Sequence, residues 1–152
     1  MSTLDSRAPS ECRTRWIFWM TDFALPIRVY VEDTDAGGIV YYANYLKYME
    51  RARTELMRSL GFDKPALFGD LQLVVRSVDL LYHLPAALDD EIRVTARFDR
   101  VARVSFDMSQ QLFRGDELLV EGSVKVACVN VSNKRPCGIP KSMYETLKSH
   151  VG

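Results

Sequence analysis

Between Asn44 and Gly61 the chain carries one long helical pattern. Tyr45, Met49, Ala52, Leu56 and Leu60 recur at spacings of four, three, four and four, the period of a single buried stripe. Asn44 is a preferred N-cap type, and Gly61 supplies a C-terminal stop. Lys47, Arg51, Thr54 and Arg58 fall on the opposite side, so the helix is expected to bury one face and wet the other.

What precedes this helix gives it a chemical interest. A β-type run from Pro26 to Val31 delivers Glu32, Asp33 and Asp35 to a turn that Gly37 and Gly38 permit, because glycine tolerates positive φ. A carboxylate thus sits just upstream of a helix start, with small residues between them that leave room for a ligand. Orphan N–H groups and the positive end of the helix dipole can polarise a carbonyl. A carboxylate beside them can activate water or attack directly. The juxtaposition suits acyl transfer at a thioester or ester. From spacing alone, Asp35 fits an Asx-type turn equally well.

Downstream the period changes to two. Gln72 to Tyr82 reads as a strand with imperfect alternation, after a helical turn or loop over Asp63 to Asp70. Ile92, Val94, Ala96 and Phe98 alternate with polar residues; Val104, Phe106, Met108 and Leu112 form one face of a second run. Val120, Val124, Val126 and Cys128 form the face of a third, after a Gly115-Asp116 hairpin turn. Lys141 to Ser149 follows Pro140 as a short terminal helix. One early helix and several sequential strands predict an α+β domain, an antiparallel sheet curled round the helix.

With 152 residues the chain fits one domain that buries about two-thirds of its unfolded surface. Residues 1–22 are polar, then aromatic, and read as a frayed N-terminal extension; 23–152 form the domain. Met20 is an alternative start. In the other reading of the extension, Trp16, Phe18 and Trp19 dock on a partner subunit. Basic and acidic residues balance at 20 each, which removes the electrostatic footprint of a nucleic-acid binder. Cys12, Cys128 and Cys137 show no paired spacing, so neither a disulfide framework nor a zinc site is indicated and a cytoplasmic location is expected. The apolar run Trp16–Met20 is shorter than a signal-peptide core, and no stretch approaches the roughly 20 apolar residues of a membrane span.

Competing motifs fail on their own terms. Asp33 to Gly38 resembles the start of a calcium loop, but Asn44 stands where a bidentate Glu is needed. Gly37-Gly38 is not followed by the lysine of a phosphate loop, and three carboxylates precede it. With only His83 and His150, histidine triads and metal clusters have little raw material. His83, at a strand end, reads as structural.

The run Val29 to Tyr45, followed by Glu50-Arg51-Ala52-Arg53-Thr54-Glu55, closely resembles the hotdog-fold acyl-CoA thioesterases, and within them the 4-hydroxybenzoyl-CoA thioesterase branch associated with the bacterial Tol-Pal system. The likeness extends from about Leu25 to Lys148 and includes Leu88-Asp89-Asp90 and Pro140-Lys141-Ser142. The resemblance implies a hotdog fold, a long central helix wrapped by a curved antiparallel β-sheet, assembled as a homodimer or homotetramer with sites at the dimer interface. It implies hydrolysis of acyl-CoA without metal or cofactor. Asp35 corresponds to the catalytic carboxylate and the backbone N–H of Tyr42 to the group that polarises the thioester carbonyl. Gly37, Gly38 and Tyr41 are expected to line the substrate, Glu50 to support the site, and Arg103, Lys134 and Arg135 to meet the nucleotide phosphates. Many members of the Tol-Pal branch carry His where this chain has Tyr42; the aromatic-substrate branch carries Tyr. Acyl carrier protein is an alternative acyl donor. A non-catalytic acyl-CoA or carrier-protein binding module is the rival reading; a dehydratase typically needs a histidine that this motif lacks.

Overall fold

The computed structural model describes residues 23–63 and 67–152. The expected extension over residues 1–22, with its aromatic cluster, lies outside the described residues. In order, the elements are β1 (Ala24–Arg28), a 3₁₀ turn (Val31–Asp33), α1 (Asn44–Ser59), β2 (Leu67–Phe68), β3 (Leu71–Tyr82), β4 (Glu91–Thr95), β5 (Arg97–Val101), β6 (Ser105–Arg114), β7 (Glu117–Asn130) and α2 (Lys141–Ser149).

The helical stripe does what its period requires. Tyr45, Met49, Ala52 and Leu56 are buried, while Lys47, Arg51 and Arg58 are exposed. Gly61 takes φ +103°; its N–H bonds Arg58 O at 3.0 Å and the Phe62 N–H bonds Met57 O at 3.1 Å, a Schellman ending that satisfies the last carbonyls. The start of α1 differs from expectation. Asn44 is the first helical residue rather than its cap, and Ala43 before it caps nothing with a side chain. The Asn44 amide is instead committed to Asp33.

All strand pairings are antiparallel, in the order β1-β4-β6-β7-β3-β2, with β5 also on β6. The alternating run from Ile92 to Phe98 is broken at Ala96 into β4 and β5. The sheet buries Ile92, Val94, Phe98, Met108, Leu112 and Val124 in one core with α1. β1 stops at Arg28 because its partner β4 begins at Glu91, opposite it; Glu32 and Asp33 therefore lie in the 3₁₀ turn instead of extending the strand. Leu67 and Phe68 form a short hairpin with β3 across Gly69, at φ +62°, in place of the expected helical turn or loop.

The imperfect alternation of β3 coincides with a shift of its register on β7 between Val75 and Ser77, a bulge that puts the side chains on either side of it out of phase. β7 pairs it along its length, but on its other edge β2 covers only Leu71 and Gln72. From Leu73 to Tyr82 that edge is open among the described residues. Val75 and Leu81 on it are 50 % and 57 % exposed.

Candidate active site

The segment from Thr34 to Val40 is a tight antiparallel turn. Thr34 bridges Val40, the Asp35 N–H bonds Ile39 O at 2.9 Å, and the Gly38 N–H bonds Asp35 O at 3.0 Å. Gly38 has φ +82°, where a side chain would be strained. Gly37 does not share that conformation, contrary to expectation. Its N–H donates to Asp35 Oδ1 at 2.8 Å, and a Cβ there would crowd the same oxygen at 3.3 Å. Asp35 is exposed; among the described residues its Oδ2 makes no hydrogen bond.

Tyr41 and Tyr42 lead from this turn into α1. Their rings meet at 4.9 Å between centroids with their planes tilted by 52°, and both are exposed. The Asn44 N–H bonds Tyr41 O at 2.8 Å, and the Tyr41 N–H reaches back to Asp33 O at 3.0 Å. The Tyr42 N–H is left without a partner among the described residues, at the positive end of a 16-residue helix. Tyr42 O accepts the Tyr82 hydroxyl at 3.0 Å, which ties the helix start to the end of β3.

Asp33, one of the three acidic residues read from sequence as turn residues, is buried to 8 % exposure. Its Oδ2 accepts the Tyr30 N–H and its Oδ1 accepts the Asn44 amide, both at 2.9 Å. The Tyr48 hydroxyl faces the carboxylate without a hydrogen bond of good geometry. Burial acts to raise the Asp33 pKa, but the Tyr30 N–H, Tyr48, Asn44 and the charge of Arg51 together hold it below the ordinary value. Burial and the Asp33 anion push the Tyr48 phenol up.

The remaining predicted site residues are dispersed. Glu50 lies on α1, about 9 Å along the axis from Asn44, and accepts the Thr54 hydroxyl at 2.8 Å. Arg103 is in the turn between β5 and β6, its carbonyl bonded to the Ile139 N–H at 2.9 Å. Lys134, at φ +61°, and Arg135 are in the turn after β7. These three cations sit at the end of the sheet where Leu71 pairs Asn130, whereas Asp35 and Tyr42 sit where Tyr82 pairs Val120. Twelve strand residues, roughly 35 Å, separate the two ends. One chain does not bring the cations to Asp35.

Sequence reasoning also missed a buried polar link between α1 and the sheet. Gln110, fully buried, donates to Met49 O and Thr95 O and accepts from Arg53 at 2.9 Å. Its place on an otherwise apolar strand face, in line with Met108 and Leu112, was the available signal. Among the described residues no cluster of His, Cys, Asp or Glu is placed to hold a metal, and no helix is long and apolar enough to cross a membrane.

Comparison with known proteins shows the family. Residues 37–121 match the model of the thioesterase superfamily. The chain is 42 % identical over 123 residues to an acyl-CoA thioesterase, YbgC, of Haemophilus influenzae, covering 80 % of this chain and 90 % of that protein. It is 38 % identical over 130 residues to the acyl-CoA thioester hydrolase YbgC of Escherichia coli O6:H1, covering 84 % and 97 %. A crystal structure of a probable thioesterase from Bartonella henselae superposes with a TM-score of 0.69 at 35 % identity, covering 77 % of this chain and 96 % of that one. With its single long helix wrapped by an antiparallel sheet, the chain belongs to the thioesterase superfamily, in the hotdog-fold form.

Proposed function

We propose that this chain hydrolyses an acyl-CoA thioester to the free acid and CoA, with Asp35 and the Tyr42 N–H as the catalytic groups. The observation that carries the assignment is their joint placement: a carboxylate with one uncommitted oxygen lies within the Thr34–Val40 turn, and an uncommitted N–H follows two residues beyond that turn, at the entrance of α1. The N–H stabilises the oxyanion as the carbonyl carbon becomes tetrahedral, a contribution of about 3–4 kcal/mol where a donor of this kind is well placed. Asp35 supplies electrons from its free oxygen, either to water, whose proton it takes, or to the carbonyl carbon. Collapse of the tetrahedral species breaks the C–S bond and expels the CoA thiolate. On the water route the thiolate takes up the proton held by Asp35, and the free acid is formed directly. On the attack route an acyl–Asp35 anhydride remains, which water hydrolyses to the free acid and the Asp35 carboxylate, its released proton balancing the thiolate. A thioester has a good leaving group, so this chemistry works without histidine or metal. Gly37, Gly38 and Tyr41 border the acyl group, and Glu50 supports the site.

The site is completed by a second copy of the chain. Antiparallel pairing of two β3 edges sets the Leu71 end of one copy beside the Tyr82 end of the other, which carries Arg103, Lys134 and Arg135 of one protomer toward the catalytic turn of its partner and toward the CoA phosphates. It also covers the exposed apolar residues of β3, as an unpaired edge requires. We assign the protein to the cytoplasm as a homodimer that pairs further into a homotetramer, acting on acyl-CoA, with acyl carrier protein as an alternative donor; residues 23–152 are its catalytic domain.

The contact between Gly37 N–H and Asp35 Oδ1 favours a second reading, in which Asp35 is only a turn residue and the chain binds acyl-CoA without cleaving it. Thiol release from butyryl-, octanoyl- and benzoyl-CoA separates the two. Turnover of any of them supports the hydrolase; tight binding with no thiol release from the panel supports the module.

A further inference from the structure

We infer that Asp33 is a positioning residue for the thioesterase reaction: it fixes the spacing between the Asp35 carboxylate and the Tyr42 N–H. The inference rests on the roles proposed above for those two groups.

The active turn is gripped through Asp33 at three points. Before the turn, Oδ2 takes the Tyr30 N–H. After it, Asp33 O takes the Tyr41 N–H. Beyond that, Oδ1 takes the amide of Asn44, the first residue of α1. Asp35 is two residues past Asp33, and Tyr42 is two residues before Asn44. The two reacting groups therefore hang from the same carboxyl-bearing residue, one on each side. The link between Asp33 and Asn44 is buried, with the two residues at 8 % and 7 % exposure, so water does not replace that bond at low cost. Asn44 stands at the first helical position, past the cap, which leaves its amide free to join the helix to the turn.

Neither Asp33 nor Asn44 needs to touch substrate in this role. An error of about 1 Å in the relative placement of reacting groups can lower a rate by around 100-fold. A small loosening of the clamp should thus appear in kcat before it appears in binding.

The test compares three variants of the full chain with the wild type: Asp33→Asn, the exchanged pair Asp33→Asn with Asn44→Asp, and Asp35→Asn as a control on the underlying reading. Each is assayed for kcat and KM on the fastest of butyryl-, octanoyl- and benzoyl-CoA, and for thermal unfolding. Asp33→Asn retains the size of the side chain but offers an N–H₂ where two donors converge. We expect kcat to fall by about 30-fold or more with KM within about threefold and a folded protein at the assay temperature. The exchanged pair restores a carboxylate and an amide facing each other and should recover kcat to within about fivefold of wild type. If Asp33→Asn does not fold, the exchanged pair decides: kcat near wild type supports the clamp, and a folded pair with less than about a tenth of wild-type kcat overturns it. Asp33→Asn with kcat within about threefold of wild type, while Asp35→Asn is inactive, overturns the clamp and leaves the catalytic reading standing. Unchanged turnover in Asp35→Asn overturns that reading, and the clamp with it.

Discussion

Met49 of α1 and Gly122 of β7 are matched across the core. A Cβ on Gly122 would stand 3.3 Å from Met49 Cε, 2.5 Å from Leu80 Cδ2 and 2.6 Å from the Asp79 carbonyl. The missing side chain lets β3 and β7 close up beneath the helix while Met49 stays fully buried. The Asp79 carbonyl belongs to the ladder and cannot swing away as a side chain tip can. Gly122→Ala should therefore overpack the site and destabilise the fold by about 1–3 kcal/mol, read as a lower urea midpoint with unchanged slope. An unchanged midpoint would mean that the helix–sheet spacing is not set at Gly122.

Acid stability should depend on Asp90. Burial acts to raise its pKa, but the Ala87 N–H at 2.8 Å and Arg114 at 2.7 Å prevail and hold it below the ordinary value. Folding therefore lowers its proton affinity, and the stability it contributes is complete above the unfolded value of about 3.9 and is lost as pH falls through the folded pKa. Asp90→Asn should lower the Tm at pH 7 and flatten its decline below about pH 4. Parallel Tm curves for variant and wild type across that range would contradict this.

The Cys128 thiol, 3.8 Å from Cys137 Sγ, is pushed up to about 12 by burial and by its neighbour. Since the thiolate is the reactive form, native protein treated with iodoacetamide at pH 8 should leave Cys128 unmodified. Peptide mapping should find it labelled only after unfolding in guanidinium. Rapid labelling of Cys128 in folded protein would show that the β7 end opens.

Val78, 39 % exposed on β3, is covered by the partner strand in the proposed dimer. A lysine there costs a lone chain little but brings two like charges together across a symmetric strand pair. Val78→Lys should weaken self-association at least tenfold by sedimentation equilibrium and lower kcat/KM with it. A wild-type chain that is monomeric and fully active at micromolar concentration would refute the shared site.

The amphipathic stripe, the Gly61 stop and the bounds of α2 were legible because each depends on residues within a few positions of one another. The functions of Asp33 and Asn44 were not. In sequence, Asp33 is one of three carboxylates before a glycine pair, and Asn44 is a good cap; only the return of the chain at Tyr41 pairs them with each other. The broken alternation of β3 was visible in the residues, but the bulge between Val75 and Ser77 that goes with it depends on the pairing with β7, far along the chain. Asp35 and Tyr42 were singled out through the acidic-turn motif and its family resemblance, since local spacing fits a plain turn as well.

The most direct measurement is thiol release by Asp35→Asn on the acyl-CoA that the wild type turns over fastest, with ligand affinity and Tm determined on the same preparation. The account predicts a fall in kcat of roughly 10²–10⁴-fold with binding and folding retained. Turnover within a few-fold of wild type would contradict it.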